Sequence, residues 1–291
     1  MSSNKLILGT VQMGIPYGIN NTSGKITFDD SIKILKKAYS SNINIIDTAE
    51  VYGNAHSIIG EYHKINPSNK FKIITKFPHS FTGSLKEKVN HYIKELYTDT
   101  LFAILFHSYS SYRDNTHNIH ELIQLKKDKL IEKIGVSVYT NEEIEEVIQD
   151  INIDIIQLPF NVFDNKNQRG DIIQKIKKTG KIIHTRSCFL QGLFFTSPQT
   201  KTPLTTQLKT ELNKLRSISQ SNGISIQQTA LNYCLQEQLI DNVLIGVDSL
   251  DQLNHNIEFS SKTISPEIIE EINSIKINNK NLLNPSLWNK L

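Results

Sequence analysis

Eight short apolar runs, each followed by a segment of helical periodicity, constrain the fold of this 291-residue chain more than any other feature. The runs begin near residues 6, 43, 71, 101, 131, 153, 181 and 242. Continuous apolar runs are typical of parallel strands buried on both faces, and alternation with helices is typical of one such sheet. The pattern predicts an α/β fold, a (β/α)8 TIM barrel, which needs roughly 250 residues.

A doubly wound sheet is the competing architecture for alternating strands and helices. Such sheets normally carry a Gly-x-Gly-x-x-Gly turn after the first strand, and the segment at residues 9–14, Gly-Thr-Val-Gln-Met-Gly, does not fit that pattern. We therefore expect residues 1–291 to form one barrel domain, with a C-terminal extension from about residue 265. The loop at residues 14–24 is rich in glycine and asparagine, so it is able to fold over a site.

The composition is typical of a soluble globular protein, with 38% hydrophobic and 21% charged residues. Because no apolar run approaches the roughly 20 residues that span a bilayer, and no signal-peptide pattern opens the chain, we expect a cytoplasmic protein without membrane contact. A formal charge of +3 with scattered lysines argues against nucleic-acid binding. Cys188 and Cys234 lack metal-ligand or paired spacing, so neither a metal site nor a disulfide framework is expected. The sequence leaves the oligomeric state open.

Three of the predicted strands end on a reactive side chain. Asp47 follows the second run, Lys76 ends the third and His107 ends the fourth, while Tyr52 lies in the loop after the second run. The carboxyl ends of barrel strands meet at one rim, where active sites form, so these four side chains are expected to lie together. Taken singly, each has a plainer role, such as a helix cap, a solvated strand end or a core aromatic residue.

In order and spacing, these four residues resemble the Asp, Tyr, Lys and His tetrad of the aldo-keto reductases. The resemblance extends from residues 8–10 to residues 245–256, which is nearly the whole chain. It implies a barrel enzyme that uses NAD(P)H to interconvert a small-molecule carbonyl compound and an alcohol. The segments at residues 9–14 and 186–192 resemble a bacterial subgroup often associated with sugar and surface-polysaccharide metabolism, which implies a sugar-like substrate. Specificity is expected in the loops at residues 11–26, 108–118 and 187–206.

The four side chains suit carbonyl reduction, which needs a hydride for carbon and a proton for oxygen. Tyr52 can supply the proton, and Lys76 is expected to lower the pKa of its phenol from about 10. Asp47 would offset the cost of burying the Lys76 cation, and His107 would hydrogen-bond the carbonyl oxygen and orient it. The hydride must come from a nicotinamide, because no side chain donates one.

The resemblance also implies a set of contacts to the cofactor. Ser137 and Gln157 match residues that contact the carboxamide, and Asn256 matches an asparagine that contacts adenine. Arg186 stands where an aromatic residue usually stacks on the nicotinamide; a guanidinium plane can also stack, and binding of an anionic substrate is the open alternative. The full set expected to contact NAD(P)H is Gly9, Thr10, Gln12, Ser137, Gln157, Arg186, Ser187, Gly192, Gly246, Ser249, Gln252 and Asn256.

The segment after the last strand bears on the choice between NAD and NADP. The resemblance implies lysine or arginine residues there for the 2′-phosphate of NADP, but this chain carries Asp248 and Asp251 instead. Carboxylates repel a phosphate dianion. The sequence therefore predicts use of NAD, or of both cofactors.

Two further functions are compatible with the same residues. A non-catalytic nicotinamide-binding regulator, like the reductase-type subunits of potassium channels, would keep the whole tetrad. A lyase that forms a Schiff base through Lys76 is the second alternative. Asp47 argues against the lyase, because it would hold the lysine charged and therefore poorly nucleophilic.

Overall fold

A computed structural model describes residues 4–81 and 83–290, and over these ranges the chain forms a closed barrel of eight parallel strands. Neighbouring strands follow chain order, and the last strand pairs with the first. The predicted (β/α)8 barrel is confirmed. The strands are β1 (Leu6–Gly9), β2 (Ile45–Asp47), β3 (Lys72–Phe77), β4 (Leu101–Phe106), β5 (Ile131–Ser137), β6 (Ile155–Pro159), β7 (Ile182–Arg186) and β8 (Asn242–Ile245).

Helices surround the barrel, and several begin at polar caps of the kind that satisfies free backbone N–H groups. The Thr27, Ser84 and Asn165 side chains each accept such a bond. In the described ranges the helices are α1 (Val11–Gly14), α2 (Phe28–Ser40), α3 (Ala55–Ile65), α4 (Leu85–Glu95), α5 (Tyr109–Asp114), α6 (Ile119–Lys127), α7 (Asn141–Val147), α8 (Lys166–Lys178), α9 (Pro203–Gln207), α10 (Lys209–Ser221), α11 (Ile226–Leu235), α12 (Leu250–Ser260) and α13 (Pro266–Asn273).

Three short helices lie in the segments that the sequence predicted as specificity loops. Helices α1, α5 and α9 span only four to six residues each. Segments of this length are too short to show helical periodicity, and isolated helices of this size are unstable without tertiary packing. No helix among the described residues is long and apolar enough to cross a bilayer.

Alternation along the strands separates two apolar layers and positions the polar rim. Ile73 of β3 belongs to the large core between sheet and helices, whereas Ile74 belongs to a small cluster inside the barrel. Lys76 lies two residues after Ile74, so it faces the interior as well, above that cluster. The barrel interior is therefore apolar below and polar at the carboxyl ends of the strands.

The C-terminal extension packs against the barrel rather than projecting from it. After α13, 3-10 turns span Lys280–Leu283 and Pro285–Lys290, and Leu282 and Leu283 are buried. The Asn165 side-chain amide donates to the carbonyl oxygens of Ile272 at 3.1 Å and Ile275 at 2.9 Å. The amide at the start of α8 therefore anchors the end of α13.

One helix contact can be tested by adding a single methyl group. A Cβ on Gly60 in α3 would lie 2.0 Å from the Glu95 carbonyl oxygen at the end of α4. We expect Gly60→Ala to lower the free energy of unfolding by about 1–3 kcal/mol, because the two helices must separate. Denaturant unfolding measures this change.

Gly170→Ala in α8 is the matched control, because the added Cβ would meet only the flexible Lys166 side chain, at 3.2 Å. It should be neutral or stabilising by up to about 1 kcal/mol, since alanine favours a helix more than glycine does. Equal destabilisation by both substitutions would contradict the close packing of α3 on α4.

Candidate active site

A cavity of about 320 Å³ opens at the carboxyl ends of the strands, within the usual size range of ligand sites. Asp47 and Tyr52 line it, whereas Lys76 and His107 lie directly behind these two residues. Ten residues of the predicted cofactor set also line the cavity: Gly9, Thr10, Gln12, Gln157, Arg186, Ser187, Gly192, Gly246, Gln252 and Asn256. Ser137 and Ser249 are outside the lining.

Asp47 and Lys76 form a buried ion pair at the base of the cavity, with side chains 3% and 2% exposed. One Asp47 carboxylate oxygen accepts from Lys76 Nζ, and the other accepts from Gln157 Nε2 at 2.9 Å. Lys76 Nζ also donates to the Thr48 carbonyl oxygen at 3.1 Å. Burial lowers the pKa of Lys76, while the adjacent Asp47 carboxylate opposes that change. The neighbouring strands β2 and β3 thus supply a paired, nearly neutral unit.

The Tyr52 ring lies close to both this ion pair and His107. Lys76 Nζ is 5.4 Å from the centroid of the Tyr52 ring, and the His107 ring meets it edge-on with centroids 5.8 Å apart. The structure therefore brings together the four side chains that the sequence predicted as catalytic.

Two glycines allow the Tyr52 loop to pack against α1. A Cβ on Gly14 would lie 1.7 Å from the Tyr52 carbonyl oxygen, and a Cβ on Gly53 would lie 2.4 Å from the Gly14 carbonyl oxygen. Gly53 also has a φ of +54°, which side-chain-bearing residues rarely adopt. This contact holds Tyr52 in place, and it depends on two positions that are far apart in sequence.

The pKa of the Tyr52 phenol is raised, chiefly by burial and further by the Asp47 carboxylate, and Arg186 opposes the rise. This direction differs from the sequence-based expectation that Lys76 would lower the pKa of Tyr52. The physical reason is that Asp47 neutralises the lysine cation, so the phenol experiences the loss of water more strongly than the nearby charge. Tyr52 consequently stays protonated at neutral pH.

His107 is neutral for a similar reason. Burial lowers its pKa to about 2, and the neighbouring Lys76, His79 and Arg186 side chains act in the same direction. The His79 ring stacks on the His107 ring with centroids 4.8 Å apart. Within the described part of the chain, His107 Nδ1 has no hydrogen-bond partner. The imidazole therefore has a free polar atom next to Tyr52.

The loop at residues 14–24 bridges the segments that follow β7 and β8. Gln191 Nε2 donates to the Tyr17 hydroxyl at 2.9 Å, and the Ile19 backbone N–H donates to the Gln191 carbonyl oxygen at 3.1 Å. Asn21 Nδ2 donates to Asp248 Oδ1 at 3.1 Å. Sequence reasoning identified the loop but missed Tyr17, Asn21 and Gln191 as site residues, because nothing local indicates partners so distant along the chain.

The segment after β8 is held by its own hydrogen bonds. Ser249 caps α12 by accepting from the Gln252 backbone N–H at 3.2 Å, which explains its position outside the lining. Asn256 Oδ1 accepts from Gln227 Nε2 at 2.8 Å. Gln227 also lines the cavity, and the sequence did not single it out. No group of three or more His, Cys, Asp or Glu residues that could hold a metal ion occurs over the ranges described.

Solved structures of similar fold include an aldo-keto reductase and a glycerol dehydrogenase. The holo form of aldo-keto reductase AKR11C1 from Bacillus halodurans superposes with a TM-score of 0.75 at 20% identity, covering 95% of this chain and 94% of that one. The glycerol dehydrogenase AKR11B4 from Gluconobacter oxydans superposes with a TM-score of 0.74 at 18% identity, covering 94% of this chain and 95% of that one. These similarities support the barrel assignment.

Sequence comparison leads to the same group. L-galactose dehydrogenase from Arabidopsis thaliana is 24% identical, and the alignment covers 92% of this chain and 91% of that protein. The aldo-keto reductase YhdN from Bacillus subtilis is also 24% identical, with 84% and 83% coverage. The family model described as aldo/keto reductase matches residues 5–277, nearly the whole chain. The resemblance seen in the sequence is thus confirmed, and the chain belongs to the aldo/keto reductase family.

Proposed function

We propose that this protein interconverts a carbonyl compound and an alcohol with NAD(P)H, using Tyr52 as the general acid and base. The single observation that carries the proposal is the grouping of a protonated phenol, a neutral imidazole and the Asp47–Lys76 ion pair at one end of one cavity. Membership of the aldo/keto reductase family implies NAD(P)H-dependent carbonyl reduction and gives the proposal its reaction class.

In this proposal each side chain has one task. A bound nicotinamide supplies the hydride that reaches the carbonyl carbon. Tyr52 keeps its proton at neutral pH and donates it as negative charge develops on the carbonyl oxygen. Lys76, held by Asp47, stabilises the phenolate that remains. His107, being neutral, orients the carbonyl oxygen without adding a charge. In alcohol oxidation Tyr52 takes the proton back.

The residues around the cavity fit a dinucleotide. Hydroxyl and amide side chains dominate the lining, which suits ribose hydroxyls, a carboxamide and adenine. Gln12 Oε1 is buried and lacks a partner among the described residues. A Cβ on Gly246 would lie 2.6 Å from Gln12 Nε2, so a side chain there would displace the end of Gln12. We infer that NAD(P)H is held by the lining members of the predicted set other than Arg186, namely Gly9, Thr10, Gln12, Gln157, Ser187, Gly192, Gly246, Gln252 and Asn256.

We infer further that the protein prefers NAD to NADP. Asp248 lines the cavity, and no lysine, arginine or histidine nitrogen within the described ranges lies within 4 Å of its carboxylate. Asp248 instead accepts a hydrogen bond from Asn21. The neutral 2′-hydroxyl of NAD suits these surroundings better than the 2′-phosphate dianion of NADP.

We propose that the substrate is a sugar or polyol carbonyl compound, and that the protein acts in the cytoplasm. Two of the similar proteins carry the names L-galactose dehydrogenase and glycerol dehydrogenase, and both names specify polyhydroxylated substrates. The site's hydroxyl and amide groups are suited to such molecules. A Schiff base on Lys76 is disfavoured, because this lysine is buried and paired with Asp47. A non-catalytic regulator remains the other alternative, and turnover distinguishes it.

The first test of the proposal is Tyr52→Phe. We expect kcat for aldehyde reduction to fall by about 10²–10⁴-fold, because the proton donor is lost, with little change in the Kd of NAD(P)H. Steady-state kinetics on a panel of aldehydes and hydroxy sugars, together with nucleotide titration, measures both quantities. Tyr17→Phe in the same cavity is the control and should change kcat far less. Normal turnover by Tyr52→Phe would refute the role of Tyr52, and inactivity of the unmodified protein on the whole panel would favour the regulator.

A second test concerns cofactor choice. We expect the protein to bind NADH more tightly than NADPH. Asp248→Asn should reduce the ratio of the two Kd values about tenfold, because it removes the repelling carboxylate. Fluorescence titration of both nucleotides gives the two Kd values. Asp251→Asn, on the exposed first turn of α12, should have a smaller effect. Tighter binding of NADPH by the unmodified protein would contradict the charge argument.

The third test uses the pKa of His107. Because that pKa is about 2 in the folded chain and 6.5 for an unperturbed histidine, the unfolded chain binds one more proton between these values, so stability falls as pH drops below about 6.5. His107→Gln should reduce this slope by up to about 1.4 kcal/mol per pH unit. Denaturant unfolding between about pH 4 and pH 7 provides the measurement, with exposed His120→Gln as the control. An unchanged slope would show that folded His107 titrates normally.

A further inference from the structure

We propose that Arg186 binds an anionic group, a carboxylate or a phosphate, carried by the carbonyl substrate. The inference rests on the proposed function and adds the substrate class to it. Arg186 is the last residue of β7, and its side chain lines the cavity that Tyr52 also lines. An arginine at this position offers a planar cation with paired donors, which matches carboxylate and phosphate geometry.

The guanidinium is fixed in place but only partly used by the protein. Its Nε donates to Ser137 Oγ at 3.3 Å, its Nη2 to the Val138 carbonyl oxygen at 3.0 Å and its Nη1 to Ser187 Oγ at 3.5 Å. One face lies 4.0 Å from the centroid of the Tyr139 ring. Because a guanidinium has five N–H donors, two remain without an acceptor among the described residues. All three acceptors are neutral.

Arg169 shows how the same region satisfies an arginine with a structural role. Its Nε and Nη2 each donate to one carboxylate oxygen of Asp164 at 2.7 Å, and its Nη1 donates to Asn141 Oδ1 at 2.7 Å. Arg186, by contrast, has no carboxylate within 4 Å over the ranges that the structure describes. A partly buried cation without a carboxylate is costly, and an anionic ligand would offset that cost.

The charges around the cavity favour an anion at this point. The charged lining residues are Asp47, Arg186 and Asp248. Lys76 neutralises Asp47, and Asp248 faces Asn21 in the covering loop. The uncompensated charge next to the candidate acid is therefore positive. The Arg186 cation opposes the rise in the pKa of Tyr52 and adds to the lowering of the pKa of His107, so its charge acts on both side chains.

Two matched substrate pairs test the proposal and separate carboxylate from phosphate. Succinic semialdehyde is compared with butanal, and glyceraldehyde 3-phosphate with glyceraldehyde, for the unmodified protein and for Arg186→Gln, Arg186→Lys and Lys178→Gln. We expect a higher kcat/KM for at least one charged member, mainly through a lower KM. Arg186→Gln should lower that charged-to-neutral ratio by about 10–100-fold.

The other variants define what the change means. The charged-to-neutral ratio of Arg186→Lys should lie between that of the unmodified protein and that of Arg186→Gln, because a lysine keeps the charge but loses the paired donors. Lys178→Gln removes the same charge from the exposed end of α8, outside the cavity lining and the predicted specificity loops, so it should leave the ratio unchanged. Equal kcat/KM values within both pairs would overturn the proposal. The proposal would also be overturned if Arg186→Gln weakened NAD(P)H binding by about 10–100-fold while the charged-to-neutral ratio of kcat/KM stayed constant. Arg186 would then serve the cofactor.

A binding measurement separates failure of this inference from failure of the proposed function. Calorimetric titration with succinate and with inorganic phosphate needs no turnover. Binding to the unmodified protein that is lost in Arg186→Gln supports the anion site even if no aldehyde is reduced. Reduction of neutral aldehydes without any Arg186-dependent anion binding or charge preference leaves the enzyme function standing and refutes the inference.

Discussion

The buried ion pair between Asp47 and Lys76 is the interaction on which the candidate site depends. Removing one partner of such a pair costs about 3–5 kcal/mol, because it leaves an unpaired charge away from water. Here the remaining hydrogen-bonding positions are used as well, by the Gln157 side chain and the Thr48 carbonyl oxygen. In the barrel register Asp47 pairs with Ile74, two residues before Lys76 on the same face of β3, so the fold itself brings the two side chains together.

A consequence of this pairing is that Asp47 and Lys76 together add little net charge beside the candidate acid. Tyr52 keeps its proton, His107 is neutral and Lys76 is compensated. Such a site can transfer a proton without the large rearrangement of charges that water would require. The guanidinium of Arg186 is the exception, because over the described ranges no carboxylate oxygen lies within 4 Å of it. Reaction and proposed selectivity thus have the same electrostatic origin.

Buried polar atoms without partners indicate where ligand groups would be accommodated. Gln12 Oε1 and His107 Nδ1 are such atoms among the described residues. Folded proteins satisfy most buried polar groups, so each exception calls for an explanation. In our proposal a cofactor contacts Gln12 Oε1, and a carbonyl substrate lies beside the His107 imidazole. The loop at residues 14–24 already spans this region through its bonds to Gln191 and Asp248.

The sequence by itself determined the alternation of strands and helices, the closed barrel and the identity of the residues at the strand ends, because periodicity and chain order are local properties. Only the tertiary structure decided which of these side chains touch, that the pKa of Tyr52 rises rather than falls, and that Tyr17 meets Gln191 from 174 residues away. It also decided that, among the described residues, no carboxylate lies within 4 Å of Arg186, whereas Arg169 is paired with Asp164. Burial and the spacing of charges depend on contacts between residues far apart in the chain, and no local pattern of residues encodes them.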